Sequence, residues 1–224
     1  VKGSDSLKIT RGERVQICNS FSNLTKPMIG NSPALIHVFQ EVAYICESIL
    51  RDQGNIPNVL ITGDPGTGKE LLAKAIHELS RRPGEYRAIN CAAFPIDLLE
   101  SELFGVVPGL PGMQSPKGKK GILQICNNGG TVQLDEINKM QRIHQEKILR
   151  VLQEKEFTPI GGEKPEQLDV LFVATGNENL EHKVKDGTFA GDLFTRLSTE
   201  SISIPRFSER PEDLPLLVKF LFEN

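Results

Sequence analysis

The sequence predicts an α/β fold, a parallel sheet covered by helices, with a phosphate-binding loop where one strand meets one helix. Three observations carry that prediction. From Ile29 onward, short apolar runs alternate with segments of helical period, the pattern of strands and helices taken in turn. One run, Asn58-Val59-Leu60-Ile61-Thr62, leads straight into Gly63-Asp64-Pro65-Gly66-Thr67-Gly68-Lys69-Glu70. Another, Thr131-Val132-Gln133-Leu134, ends in two adjacent carboxylates, Asp135 and Glu136.

The elements follow in order. Residues 1–26 have mixed polarity up to Pro27 and read as a linker or short β-arm, leaving 27–224 as the α/β core. Helices are expected over about Pro33 to Leu50, Lys69 to Ser80, Asp97 to Phe104, Met140 to Glu154 and Asp192 to Leu197. In the second of these, Leu72, Ala75, Ile76 and Leu79 fall at i, i+3, i+4, i+7, one face of a helix. Strands are expected over Val59 to Thr62, Tyr86 to Ile89, Thr131 to Leu134, Val170 to Thr175 and Ser201 to Ile204, making five. Gln133 stands out, because central parallel strands are normally continuous apolar runs. Val106 to Lys120 is rich in proline and glycine and ends in Lys117-Gly118-Lys119-Lys120, so it reads as an exposed loop. Leu216 to Phe222 begins an amphipathic helix with no evident partner after it.

Composition narrows the function classes. A length of 224 residues suits one large domain, alone or with a small appendage. A formal net charge of -3 gives no bulk electrostatic support for nucleic-acid binding. No apolar run approaches the roughly 20 residues needed to cross a bilayer, and no signal peptide opens the chain. Cys18, Cys46, Cys91 and Cys126 are scattered without a C-x-x-C pair, as expected of reduced thiols in a cytoplasmic protein. The four histidines form no H-E-x-x-H pattern.

The glycine stretch completes the frame G-x-x-x-x-G-K. Its glycines let backbone N–H groups turn inward, the following helix N-terminus adds partial positive charge, and Lys69 can reach outer phosphates. Glu70 stands where a Ser or Thr hydroxyl usually meets Mg²⁺. Phosphoryl transfer also explains the carboxylate pair: Asp135 would hold Mg²⁺ between phosphates, and Glu136 would align or deprotonate the attacking water. Asn177, at the tip of Val170-Leu171-Phe172-Val173-Ala174-Thr175-Gly176, is placed to touch a terminal phosphate or that water, or else to cap a turn. A nucleoside triphosphate site, for ATP with Mg²⁺, is the expectation.

With these motifs in register, the chain resembles the AAA+ ATPase domain of sigma-54-dependent (NtrC-like) bacterial transcription activators. The resemblance runs from about Ile29-Gly30 to Leu217. It is most specific at Gly68-Lys69-Glu70, Asn90-Cys91-Ala92-Ala93, Leu98-Leu99-Glu100-Ser101-Glu102-Leu103-Phe104-Gly105, Leu134-Asp135-Glu136-Ile137 and Glu209-Arg210-Pro211-Glu212-Asp213-Leu214. Glu70 is expected in this family. The resemblance implies a ring, often a hexamer, with nucleotide between subunits and contacted by Ile29, Gly30, the glycine loop and Leu71. It further implies Asn90 as the partner that restrains Glu136, Asn177 as a γ-phosphate sensor, and Arg196 as an arginine finger reaching a neighbouring subunit. On its own, Arg196 reads as half of a surface ion pair; only the resemblance favours the arginine finger.

Some positions depart from the family. The loop after Phe104-Gly105 usually carries Gly-Ala-Phe-Thr-Gly-Ala, whose Phe and Thr engage the sigma factor; here the aligned residues are Gly109-Leu110-Pro111-Gly112-Met113-Gln114. Weakened contact with sigma-54 is therefore expected. Ala190 stands where a second intersubunit arginine is common, Ser208 replaces a frequent Arg, and Gly176 a usual Thr. The helical lid that follows such cores and any helix-turn-helix are absent from these residues, so contact with DNA would need a domain outside the chain. Two alternatives stay open: a nucleotide-responsive binding module with little hydrolysis, and an ATPase that remodels a different protein.

Overall fold

A computed structural model describes residues 11–52, 54–110, 117–177 and 180–223. Helices α1 (Arg11–Ser22) and α2 (Pro33–Arg51) precede strand β1 (Val59–Thr62), α3 (Lys69–Leu79), β2 (Tyr86–Asn90) and α4 (Ile96–Phe104). A two-residue ladder of β3 (Gly105–Val106) with β4 (Lys119–Lys120) comes next, then α5 (Ile122–Cys126), β5 (Gly130–Asp135) and α6 (Arg142–Glu154). The short pair β6 (Glu156–Phe157) and β7 (Glu166–Gln167) leads to β8 (Val170–Gly176), α7 (Leu180–Lys185), α8 (Gly191–Leu197), β9 (Glu200–Ser203) and α9 (Leu214–Glu223).

The predicted five strands form one sheet in the order β2-β5-β8-β1-β9, and every pairing in it is parallel. Parallel strands need crossovers, and these helices cover both faces. The alternation of β8 makes this concrete. Val170, Phe172 and Ala174 pack toward α4, α5, α6, α7 and α8, while Leu171 and Val173 pack toward α1, α2 and α3. A strand buried on both sides reads as an unbroken apolar run, which is why it was legible.

Gln133 is fully buried, and its side-chain oxygen finds a partner while its Nε2 has none among the described residues. Along β5, Val132 and Leu134 join the first apolar cluster, whereas Thr131, Gln133 and Asp135 project to the α3 side. There the Tyr86 hydroxyl donates to Gln133 Oε1, and Thr131 Oγ1 lies 2.9 Å from His77 Nδ1.

The N-terminal expectation of a linker or β-arm is corrected. Residues 11–22 are helical, and Phe21 stacks on Phe39 of α2 with ring centroids 3.9 Å apart. Tertiary packing of that ring holds a helix whose polar sequence gives little periodic signal. The proline-rich loop is closed at its base by β3 and β4, and Pro111-Gly112-Met113-Gln114 lies outside the described residues.

Candidate nucleotide-binding site

The glycine loop is shaped by its own sequence and held from behind by distant residues. Gly68 caps α3 in the left-handed region, φ 104° and ψ 22°, a conformation that a side chain resists. Thr67 is buried, and its hydroxyl donates to the Asp64 carbonyl at 2.8 Å. The Arg210 guanidinium donates to the Thr67 carbonyl at 2.8 Å, and Arg206 Nε lies 3.0 Å from Asp64 Oδ2. Residues that follow β9 therefore fasten the loop. Arg210 is itself buried beside Asp213, which accepts from the Asn31 and Ser32 amides and the Ser32 hydroxyl, each at 2.7 Å.

In front of the loop lies a cavity of about 460 Å³, within the range of ligand pockets. One wall is Pro65, Gly66, Gly68, Lys69, Glu70 and Leu71; the other is Asp135, Glu136, Asn138, Lys139, Gly176 and Asn177. The site residues expected from β1, β5 and β8 thus meet, because parallel strands deliver their C-terminal ends to one edge of the sheet. Gly63, Asp64 and Thr67 support the loop without forming the wall. Ile29 and Gly30 are not on the wall either. A Cβ on Gly30 would lie 2.4 Å from Leu35 Cδ2 and 2.7 Å from Asp213 Cγ, so that glycine permits close packing of the segment beside the loop.

The charges in the cavity already have partners. Lys69 Nζ donates to the Gly63 and Asp64 carbonyls at 2.8 and 2.9 Å. Burial draws its ammonium below the ordinary lysine range, while Asp135, Asp64 and Glu136 oppose that shift. Asp135 Oδ1 accepts from the Thr175 hydroxyl, and Oδ2 lies 3.5 Å from Asn90 Nδ2. Behind the carboxylates, burial with help from Asp135 and Glu136 pushes the Cys91 thiol up to about 12, which leaves it protonated and inert. Asn177 lines the cavity, and its Oδ1 is buried with no protein partner among the described residues.

The resemblance implied Asn90 as the restraint on Glu136; in this structure Asn90 faces Asp135 instead. Asn90 sits opposite Asp135 in the β2–β5 register and bonds that carboxylate; its Oδ1 accepts from the Ala92 amide at 2.8 Å. Glu136 leaves the strand in a left-handed conformation, φ 52° and ψ 43°, uncommon for a residue with a side chain. That turn opens a short 3-10 helix, Ile137–Lys139, and puts Lys139 Nζ 3.1 Å from both Glu136 oxygens. Sequence reasoning passed over Asn138 and Lys139; the i, i+3 charge pair was their only signal.

Arg196 is far from this cavity. It lies in the last turn of α8, exposed, and its carbonyl accepts from Asn58 Nδ2 at 2.8 Å. Asn58 precedes β1 and the glycine loop follows it, so at about 3.3 Å per residue the two ends stand roughly 16 Å apart.

A magnesium ion is a fit for this donor set only in company with phosphate. Among the described residues no group of three or more His, Cys, Asp or Glu could hold a metal alone. Mg²⁺ is commonly bound by one or two carboxylates plus substrate phosphates, and Asp135, fixed through both oxygens, is such a carboxylate.

Fold and site define a P-loop NTPase of the AAA+ class. Comparison with known proteins agrees: the family described as the Sigma-54 interaction domain matches residues 28–203. The chain belongs to that family, the AAA+ domain of NtrC-like transcription regulators. It is 46% identical over 164 residues to a putative uric acid sigma-54-dependent transcriptional regulator, UacR, of Escherichia coli, covering 73% of this chain and 28% of that protein. It is 42% identical over 204 residues to the regulatory protein AtoC of Escherichia coli, covering 88% and 42%. A crystal structure of NtrX from Brucella abortus in complex with ATP superposes with a TM-score of 0.75 at 34% identity, over 94% of this chain and 44% of that one. The chain thus spans less than half of each of these relatives. Among the described residues no helix is long and apolar enough to cross a membrane.

Proposed function

We propose that this domain binds ATP with Mg²⁺ and hydrolyses it as the central module of a cytoplasmic bacterial transcription regulator, in a ring that completes each site between neighbours. The observation that carries the reading is the meeting of Lys69, Asp135, Glu136 and Asn177 on one cavity. The ATP complex of NtrX, a protein similar over 94% of the chain, supports the choice of ligand.

An incoming triphosphate would draw Lys69 off the loop carbonyls and place its phosphates against the N-terminus of α3. Asp135, together with phosphate oxygens, would hold Mg²⁺, which would supply positive charge against the phosphates. Glu136 takes the proton of the water that attacks the terminal phosphorus, and ADP leaves as the bond to its β-phosphate oxygen breaks. Asn177 accepts from that water or donates to the terminal phosphate. Ile29 and Gly30 border the nucleotide beside the loop. Arg196, at the other end of the strands from its own loop, would act at a neighbour's site. An arginine finger contributes on the order of 10³–10⁵ in rate in comparable phosphoryl transfers.

The partners proposed are other copies of the chain, a hexamer when the lid is present, and sigma-54 with weakened contact, given Pro111 and the missing Phe and Thr in its loop. DNA would be reached only through a domain outside these residues. The test is ATP turnover against protein concentration, with calorimetry of adenine nucleotide binding in Mg²⁺. Turnover should rise steeply with concentration, fall in Arg196→Ala, and vanish in Glu136→Gln without loss of binding. Failure of the wild type to bind either nucleotide would end the reading. Binding without turnover would leave a nucleotide-responsive module.

A further inference from the structure

Two lysines line the cavity, and only Lys69 is explained by the glycine loop. Lys139 stands on the opposite wall, beside Glu136 and on the wall that carries Asn177. Its ammonium is equidistant from both Glu136 oxygens, 3.1 Å from each, so it faces the whole carboxylate edge rather than one lone pair. That is the group proposed to receive the proton of the attacking water. While Lys139 occupies the edge, the carboxylate is satisfied by a cation and is a poor acceptor.

We propose that Lys139 is a nucleotide-sensing residue that exchanges Glu136 for the terminal phosphate of a bound nucleoside triphosphate, freeing Glu136 for water. This rests on the nucleotide-site reading above. Three features of the site support the exchange. The Lys139 and Glu136 side chains are 53% and 39% exposed, and ion pairs so open to solvent are weak and easily displaced. Lysine carries a compact charge on a flexible four-carbon stem, able to pivot between two anions without backbone movement. The terminal phosphate carries more negative charge than one carboxylate and would enter the same cavity. The two pairings exclude each other, so each must weaken the other by the same factor.

The exchange gives Lys139 a bias toward triphosphate over diphosphate, since only the former offers the competing phosphate. Calorimetry with ADP and with a non-hydrolysable ATP analogue, in Mg²⁺, reads that bias as a ratio of affinities. Lys139→Ala should lower the triphosphate affinity by about three- to tenfold, the scale of one partly exposed charge-assisted contact. ADP affinity should stay within about twofold, which also reports that the variant is folded. Lys139→Arg should restore the ratio, and Lys139→Met, which keeps the stem, should not. Glu136→Gln, which releases Lys139, should tighten the triphosphate, and that gain should disappear in Glu136→Gln/Lys139→Ala. An unchanged ratio in Lys139→Ala and Lys139→Met, with the wild type binding both nucleotides, overturns the exchange and leaves the nucleotide site standing. A wild type that binds neither removes both.

Discussion

Asp213 is the most exposed point of the reasoning that the segment after β9 fastens the phosphate loop. Its carboxylate is almost wholly buried and accepts three hydrogen bonds at 2.7 Å, from the Asn31 amide, the Ser32 amide and the Ser32 hydroxyl. That hydroxyl in turn accepts from the Leu35 amide at 3.2 Å and caps α2. The buried Arg210 guanidinium lies 4.0 Å away, donates to Thr67 in the loop, and sits 4.4 Å over the Phe207 ring. Replacing Asp213 by Ala strands two amide donors and leaves the Arg210 charge without a counterion. Each stranded donor costs about 1–3 kcal/mol, and breaking a buried ion pair from one side costs about 3–5 kcal/mol. These losses share one network and do not add, so about 3–5 kcal/mol is expected in total. In a chain of this size each kcal/mol moves the melting temperature by about 2–4 °C, giving a fall of roughly 6–20 °C. Asp213→Asn keeps an acceptor for the amides and can donate to the Ser32 hydroxyl, so it should cost less than Ala. Asp213→Ala with Arg210→Met should recover part of the loss, because the orphaned charge goes too. Urea unfolding followed by circular dichroism, with an unchanged slope, is the assay. A cost under about 1 kcal/mol for Asp213→Ala would refute the tether.

The remaining predictions concern acidity and backbone strain. Burial draws the His77 imidazole below its ordinary 6.5, with Glu78 opposing the shift and Arg82 adding to it. The folded state therefore binds fewer protons than the unfolded chain just beneath pH 6.5, and the stability this group contributes is present above that pH and lost as pH falls. His77→Gln should flatten the decline in unfolding free energy between pH 7.5 and 5.5; parallel curves for the two proteins would count against the assignment. Gly68→Ala should cost about 1–2 kcal/mol, from left-handed backbone at φ 104° and a contact 3.3 Å from Met28 Cε. Gly176→Ala, whose new Cβ would meet nothing closer than 3.5 Å, should stay within about 0.5 kcal/mol. Thermal melts of the pair check both, and equal effects would mean that the loop conformation is not what makes Gly68 necessary.

What was legible in the sequence was whatever depends on near neighbours. β1 and β8 stood out because both their faces are buried, and α3 because its core face repeats at i, i+3, i+4. The phosphate loop was legible because its chemistry is carried by consecutive residues. α1 was missed for the opposite reason: Ile17, Phe21 and Leu24 have helical spacing, yet neutral polar residues such as Gln16, Asn19, Ser20, Ser22 and Asn23 surround them, and the partner of Phe21, Phe39, lies in another helix. The five-residue α5 is too short to show a period. Arg210 and Asp213 were visible as a sequence motif, but what they do rests on Asn31, Ser32 and Thr67, which no local window contains. Lys139 could be seen to sit three residues from Glu136; only the cavity gives that spacing a consequence.

Gln133, the one feature at odds with a central parallel strand, ties the sheet to the site. Thr131, Gln133 and Asp135 share the face of β5 that looks toward α3, while Val132 and Leu134 on the other face join the apolar cluster. A buried polar group without a partner costs roughly 1–3 kcal/mol, so three in a row require three sets of partners. Each has at least one: His77 for Thr131, Tyr86 for Gln133 Oε1, and Thr175 with Asn90 for Asp135, while Gln133 Nε2 is buried without a partner among the described residues. His77 comes from α3, Tyr86 and Asn90 from β2, and Thr175 from β8, so the register of β5 is set by polar groups from both neighbouring strands and the covering helix. A slip of one residue would turn Val132 and Leu134 into that polar seam and the polar side chains into the opposite core. The strand that presents Asp135 and Glu136 is therefore held in one register by the same residues that interrupt its apolar run, and the two carboxylates reach the cavity in a fixed position.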